Sequence, residues 1–402
     1  MDYKTLEKIY YTKGNVLKEL ELRLENPCTY KTNLFINPIL KGKRELKDKF
    51  QLFYLPINEI SLLQENIFSN SSKIKSLIQD LPKIARAWCI RNIMMNEIVK
   101  TNGIEGVYST KKEIHNSMTS KKVNRFTGVI KKYQQIIENN IDKLENIEQI
   151  RKLYDDIFEE DILKNNENKL DGKYFRKERV TISDGFKSIH TGDNSEEQII
   201  KHLNDLLTFM NTTNVNSLIK ATITHYYFEY IHPFYDGNGR FGRLLFSMYL
   251  ARKLDVLTGL SVSYSIFTSK AKYYKLFTDA SSSKNCGEMT FFILGALGII
   301  KDGQESIISM LKNKLMKIAY IEGYINNLDL QDKEKKLLYL YMQHSLFFDE
   351  FYLEDREISS IFKITRRRLN VLLNSLIEKG FIVKTKASPS IHTLSDQLKE
   401  KL

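Results

Sequence analysis

Residues 232–243, His-Pro-Phe-Tyr-Asp-Gly-Asn-Gly-Arg-Phe-Gly-Arg, put a base, a carboxylate, a Gly-Asn-Gly run and two arginines within twelve positions. An ordinary imidazole titrates at about 6.5, so His232 suits the removal of a hydroxyl proton. Gly237, Asn238 and Gly239 allow a loop whose backbone amides converge on one point. Where such a loop enters a helix, the unpaired N–H groups and the helix dipole favour a phosphate. Arg240 and Arg243 are three residues apart, share a helix face, and add charge-assisted bonds to phosphate oxygens. Asp236 would repel a phosphate unless a divalent cation, best Mg²⁺, stands between them. Phe234 is expected to turn inward and pin the loop. A lone His before Pro is usually only a helix end, and a Gly-Asn-Gly loop only a turn. The combination of a base, a metal ligand, an anion cradle and two arginines is hard to explain as packing.

The elements that must hold this loop are mostly helical. Six prolines in 402 residues and long stretches of helical periodicity argue for a mainly α protein. Periodic segments are expected at 83–99, 144–165, 195–210, 214–231 and 239–252, continuing to about 318. Thr110 and Glu113 form a capping-box pattern for another helix start. Strand or helix stays open for residues 1–75. Between 171 and 192 apolar and polar residues alternate about Asp184-Gly185, which predicts a β-hairpin inserted in the helical body.

The 232–243 segment resembles the signature of the Fic family, HPFx(D/E)GNGRxxR, at all nine specified positions. The resemblance covers about 80–310. It implies an all-α Fic core with a β-hairpin flap, transferring AMP from ATP to a Tyr, Ser or Thr hydroxyl of a target protein and of itself. By this resemblance His232 is the base and Asp236 the Mg²⁺ ligand. Gly237, Asn238, Gly239 and Arg240 cradle phosphates, and Arg243 reaches the γ-phosphate. Gly172, Tyr174 and Arg176 resemble the start of the flap, whose Ser188 and Ile189 would hold the target. Tyr273 and Tyr274 resemble a tyrosine pair beside the adenine; Ser281 stands where relatives often have Asn, a departure at the nucleoside side. Thr101 to Gly106 fits the family's inhibitory pattern (S/T)xxxE(G/N). Glu105 would then occupy Arg243, and in some relatives the same Glu helps remove AMP.

Residues 325–395 read as a small separate domain. Helices are expected at 331–344, 357–362 and 366–379, then two strands about 386–389, the winged helix-turn-helix pattern. Leu369, Leu372, Leu373, Leu376 and Ile377 share one face of the third helix, Thr365 is its N-cap and Gly380 its stop. Arg366, Arg367 and Arg368 oppose the dipole at that helix start. Arg366, Arg367 and Asn370 are candidate contacts to DNA or to protein, which stand level. The expected division is an N-terminal segment 1–80 packing on the core, a Fic core 81–318 and the winged helix 325–395. A rival reading is a DNA-binding regulator that uses the Fic core as a nucleotide sensor.

The net charge of +12, from 61 basic and 49 acidic residues, favours an acidic partner without choosing one. Cys28, Cys89 and Cys286 are odd in number and widely spaced, so neither a disulfide framework nor a zinc site is expected. The start of the chain has no signal-peptide core, and the longest apolar run, 291–300, is short for a membrane span. A cytoplasmic protein with no membrane partner is expected; homo-oligomerisation stays open.

Overall fold

The computed structural model describes residues 3–183, 188–348 and 351–401. Helix dominates, and the strands form two-stranded antiparallel pairs. The chain divides into two compact units, one of Met1–Ser72 with Met94–Ser306 and one of Lys73–Ile93 with Ile307–Leu402. These boundaries differ from the expected 1–80, 81–318 and 325–395. They fall inside the helices Asn58–Asp80, Lys83–Ile104 and Thr290–Asn326 rather than in linkers.

In the first unit the centre is the helix Ser217–Ile231. Apart from Ser217 and Glu229, which are partly covered, its residues are buried, because apolar side chains occupy its whole circumference. Asn238–Lys253 packs beside it, and His225 stacks on Phe246 across the pair with ring centroids 4.9 Å apart. Asn216 starts the central helix by accepting from the Leu218 amide at 2.9 Å. The predicted capping box at Thr110 and Glu113 is present, with both reciprocal bonds.

The open region 1–75 resolves into both kinds of element. Helices Leu6–Lys13 and Val16–Glu25 precede strands Tyr30–Ile36 and Phe50–Tyr54, which pair antiparallel. A short ribbon, Ile39–Leu40 with Lys43–Arg44, lies between those strands in sequence. Thr181–Ser183 pairs with Ser188–Thr191, so the expected hairpin is there; its Asp184-Gly185 turn lies outside the described residues.

In the second unit Asp332–Phe347, Asp355–Phe362 and Arg366–Glu378 are followed by strands Ile382–Lys386 and Ile391–Leu394. Leu369, Leu373 and Leu376 are buried, and Leu372 and Ile377 half-buried. Thr365 caps its helix by accepting from the Arg368 amide at 3.4 Å, and Gly380 follows the helix with φ +76°.

Candidate active site

The loop between the two central helices begins with strained backbone. His232 closes the Ser217–Ile231 helix in the left-handed region, φ 55° and ψ 63°, which a β-substituted residue enters at a cost of about 1 kcal/mol or more. Its amide donates to the Phe228 carbonyl at 3.0 Å, and its own carbonyl accepts from Arg176 Nε at 2.8 Å. Arg176 is fully buried and also donates to the Asp193 and Glu178 carbonyls. These bonds fix the main chain at His232. Burial, then the Arg176 guanidinium, lowers His232 to about 4, so the ring is neutral near pH 7 and ready to accept a proton. Nδ1 is buried with no hydrogen-bond partner.

Phe234 is buried and stacks on Tyr154 at 3.6 Å, as expected of a pin. Asn238 clamps the loop from the other side: Oδ1 accepts from the Phe234 amide at 2.9 Å and Nδ2 donates to its carbonyl at 2.8 Å. Its side chain is thus a staple, and only its amide faces the cradle role. Gly237 takes φ +77° at the N-cap of Asn238–Lys253 and provides no side-chain cap. The first-turn amides of Asn238, Gly239 and Arg240 are left for an anion. Asp236 is exposed, with Oδ1 accepting from the Gly237 amide at 2.5 Å.

Both arginines of the segment are held by carboxylates. Arg243 is buried; Nη1 donates to Glu105 Oε1 at 2.7 Å, Nε to Thr101 Oγ1 at 2.9 Å and Nη2 to the Thr101 carbonyl at 3.1 Å. Burial alone would raise the Glu105 carboxyl, but Arg243, with Arg240 and His232 behind it, holds it below its usual range. Glu105 lies just past Lys83–Ile104, and Lys270 Nζ donates to the Ile104 carbonyl at 2.8 Å, tying down that helix end. Gly239 lies so close that a Cβ there would stand 2.3 Å from Glu105 Oε1. Arg240 Nη1 pairs with Asp161 Oδ2 at 2.6 Å and reaches Asn102 Oδ1 at 3.5 Å.

Tyr273 and Tyr274 begin the next wall. Tyr273 is buried and its hydroxyl bonds His225 Nε2 at 2.8 Å; Tyr274 is half-exposed, edge-on to it. Burial, then Glu105, pushes the Tyr274 phenol up to about 12. Ser281 is buried against the Tyr226 hydroxyl at 2.9 Å. Ser188 and Ile189 lie in the strand Ser188–Thr191, and their side chains are outside the described residues. Arg366, Arg367 and Asn370 are exposed in the second unit.

Several contributors carry no local sequence signal. Arg44 donates Nε to the Thr191 carbonyl at 2.8 Å, pairs with Asp193 and lies over the Tyr230 ring, fixing the base of the flap. Asp193 also bonds His202 Nδ1 at 2.9 Å. His190 packs 5.8 Å from the His232 ring. Glu229 is partly covered, and desolvation, working against the Arg243 charge, raises its carboxyl to about 8. Asp161 and Arg44 sit in stretches with no motif.

The site is thus a helical body with an open helix start beside a neutral histidine. Residues 140–250 match the Fic/DOC family, and the chain carries a Fic domain. A 61-residue stretch is 36% identical to Protein adenylyltransferase fic-1 of Caenorhabditis elegans, covering 14% of this chain and 12% of that protein. A Fic family protein from Desulfovibrio desulfuricans G20 shares the fold, with TM-score 0.53 and 19% identity over 85% of this chain and 98% of that one. Fic-1 residues 134–508 from C. elegans align at TM-score 0.45 and 16% identity, over 63% of this chain and 74% of theirs. Among the described residues no helix is long and apolar enough to cross a membrane.

Proposed function

We propose that the protein transfers AMP from ATP to a hydroxyl side chain of a target protein, and of itself, and that Glu105 restrains the reaction. The observation that carries this reading is a neutral His232 beside a helix start whose second arginine, Arg243, is buried and paired to Glu105 at 2.7 Å. His232 accepts the Tyr, Ser or Thr hydroxyl proton while that oxygen bonds the α-phosphorus and the bond to pyrophosphate breaks. The Asn238, Gly239 and Arg240 amides hold phosphate oxygens, and Arg243 receives the γ-phosphate once Glu105 leaves it. Tyr273 and Tyr274 flank the nucleoside, and the Ser188–Thr191 strand offers its backbone to an extended target segment.

The residues fit Mg²⁺ shared with the substrate. Among the described residues no group of three or more His, Cys, Asp or Glu could hold a metal alone. Asp236, an exposed carboxylate beside the cradle, is the one candidate in the loop, and Mg²⁺ is commonly bound by one or two carboxylates plus substrate phosphates. When bound, the ion would neutralise phosphate charge. Glu105 also faces the site from which AMP could be hydrolysed off a modified protein, so removal is a second direction of the same chemistry.

The test is labelling of a cell lysate by Glu105→Gly protein with ATP and Mg²⁺, followed by identification of the modified side chain. AMP on Tyr, Ser or Thr supports the reading; no protein-bound AMP on any substrate, itself included, contradicts it.

A second reading rests on the C-terminal unit. Arg366, Arg367 and Arg368 are exposed, and none makes an ion pair among the described residues. As a winged helix this unit would place them on DNA or on a partner protein, with the Fic domain sensing nucleotide. A DNA shift that falls with salt and is lost in Arg366→Ala/Arg367→Ala favours DNA.

A further inference from the structure

Glu97 is a carboxylate that the AMP-transfer reading leaves without a task. Glu97, Thr101 and Glu105 follow at intervals of four along and just past the helix Lys83–Ile104, and so share one face. Thr101 and Glu105 hold Arg243, whereas Glu97 turns to the helix Val262–Thr268. Its side chain is fully buried. Oε1 and Oε2 accept from the Ser263 amide at 2.8 and 2.9 Å, and Oε2 also accepts from the Tyr264 amide at 3.2 Å. The Ser247 hydroxyl donates to Oε1 at 3.5 Å. Among the described residues, the titratable and charged side chains that face Glu97 are Tyr133 from Thr127–Ile137 and Arg243 from Asn238–Lys253.

Past Glu97 the same helix meets its neighbours twice more. Lys100 Nζ lies 4.1 Å from the centroid of the Phe267 ring, and Lys270 Nζ donates to the Ile104 carbonyl at 2.8 Å. Both contacts end on a long lysine stem, which can follow a small shift of the helix. The Glu97 carboxyl is enclosed and bonded to backbone, so a slide of one residue, about 1.5 Å along the axis, breaks its amide bonds. Burial outweighs those bonds and the Arg243 charge, and raises Glu97 from the usual 4.5 to about 7. A carboxyl raised in the docked helix and ordinary in a released one favours docking most while protonated. Docking is therefore strongest below 4.5 and weakens as pH rises through 7.

We propose that Glu97 is the positioning residue of the restraint: by gripping the Ser263 and Tyr264 amides it fixes the axial register at which Thr101 and Glu105 meet Arg243. The restraint itself belongs to the AMP-transfer reading, so the test has one arm that reads label and one that does not. In the first arm, amide hydrogen exchange of the full chain, corrected for its intrinsic pH dependence, follows residues 97–104. Glu97→Ala should lose protection there by roughly tenfold or more, while Glu97→Gln, which keeps an acceptor for the Ser263 amide, retains it. Between pH 6 and pH 8 protection should fall by up to about tenfold in the unaltered protein and stay level in Glu97→Gln, which is neutral throughout. In the second arm, label from ATP with Mg²⁺ is read as the rate with Glu105→Gly divided by the rate with Glu105 in place. Adding Glu97→Ala to both proteins should bring this ratio towards one, because the restraint is already displaced; a merely structural loss would lower both rates and leave the ratio. The pH comparison with Glu97→Gln decides the matter should Glu97→Ala fold poorly. Unchanged protection in Glu97→Ala, an unchanged ratio, or an equal pH response in Glu97→Gln overturns the proposal. No label from Glu105→Gly, with the exchange results as expected, contradicts the transfer reading and supports the anchor.

Discussion

Glu105 Oε1 lies 2.7 Å from Arg243 Nη1, and the same oxygen occupies the space a side chain on residue 239 would need. One carboxylate thus holds the deepest cation of the loop and stands directly over the anion cradle. On the proposed reading, restraint and phosphate binding compete for the same few ångströms.

Gly239→Ala follows from that crowding. The added Cβ would meet Glu105 Oε1 at 2.3 Å and Arg243 Nη1 at 2.9 Å. Overpacking of this kind costs about 1–3 kcal/mol. Denaturant unfolding should show the loss, and Glu105→Gly/Gly239→Ala should recover part of it. Equal losses with and without Glu105 would place the strain elsewhere.

Removing the carboxylate also leaves Arg243 buried with fewer partners. Glu105 is partly exposed and Thr101 keeps two of the bonds, so Glu105→Gly should lose about 1–2 kcal/mol, less than a fully buried pair. ATP with Mg²⁺ should then raise the unfolding temperature of Glu105→Gly more than that of the unaltered protein, because phosphate replaces the missing charge.

Asp161 holds Arg240 as Glu105 holds Arg243, at 2.6 Å but nearer the surface. Asp161→Asn should tighten ATP binding by roughly fivefold, as expected for about 1 kcal/mol of a part-exposed pair. Calorimetric titration of Asp161→Asn with ATP checks this; weaker binding would mean that Asp161 orients Arg240 instead.

His232 gives a pH dependence with a definite sign. Its folded value of about 4 lies below the ordinary 6.5, so above 6.5 both folded and unfolded forms are neutral and the full stability is present. As pH falls from 6.5 towards 4 the unfolded chain takes up a proton that the folded one refuses, and stability is lost, by about 3 kcal/mol at the end of the window. Urea unfolding at pH 7 and pH 4.5 should show a smaller loss for His232→Gln than for the unaltered protein.

What could be read from the chain was what is local. The 232–243 signature, the capping box at Thr110 and the hydrophobic face of Leu369, Leu373 and Leu376 depend on neighbours a few residues away. The Thr101-to-Glu105 spacing also led to a carboxylate that stands against Arg243. Arg44 and Asp193 are 149 residues apart and Asp161 and Arg240 79 apart, and no periodicity announces such pairs. Tyr30–Ile36 finds its partner across an intervening ribbon, which left residues 1–75 undecided. Thr127–Ile137 was not expected, because the Asn, Ser and Lys residues before it obscure its start, where Phe126 makes no side-chain cap bond. The unit boundaries fall within continuous helices, so no Pro- or Gly-rich linker marks them. The expectation that Asn238 cradles phosphate did not say which of its atoms would do so; its side chain bonds Phe234, four residues back, through both amide atoms, which leaves the backbone amide for that role.

The central claim is a His232-dependent transfer restrained by Glu105. The most direct measurement is incorporation of label from ATP labelled at the α-phosphate, with Mg²⁺, into the protein itself and into lysate. Glu105→Gly should label roughly 10- to 100-fold faster than the unaltered protein, the range expected for releasing one charge-assisted contact. Glu105→Gly/His232→Ala should fall to background. Equal labelling by these two variants would contradict the account.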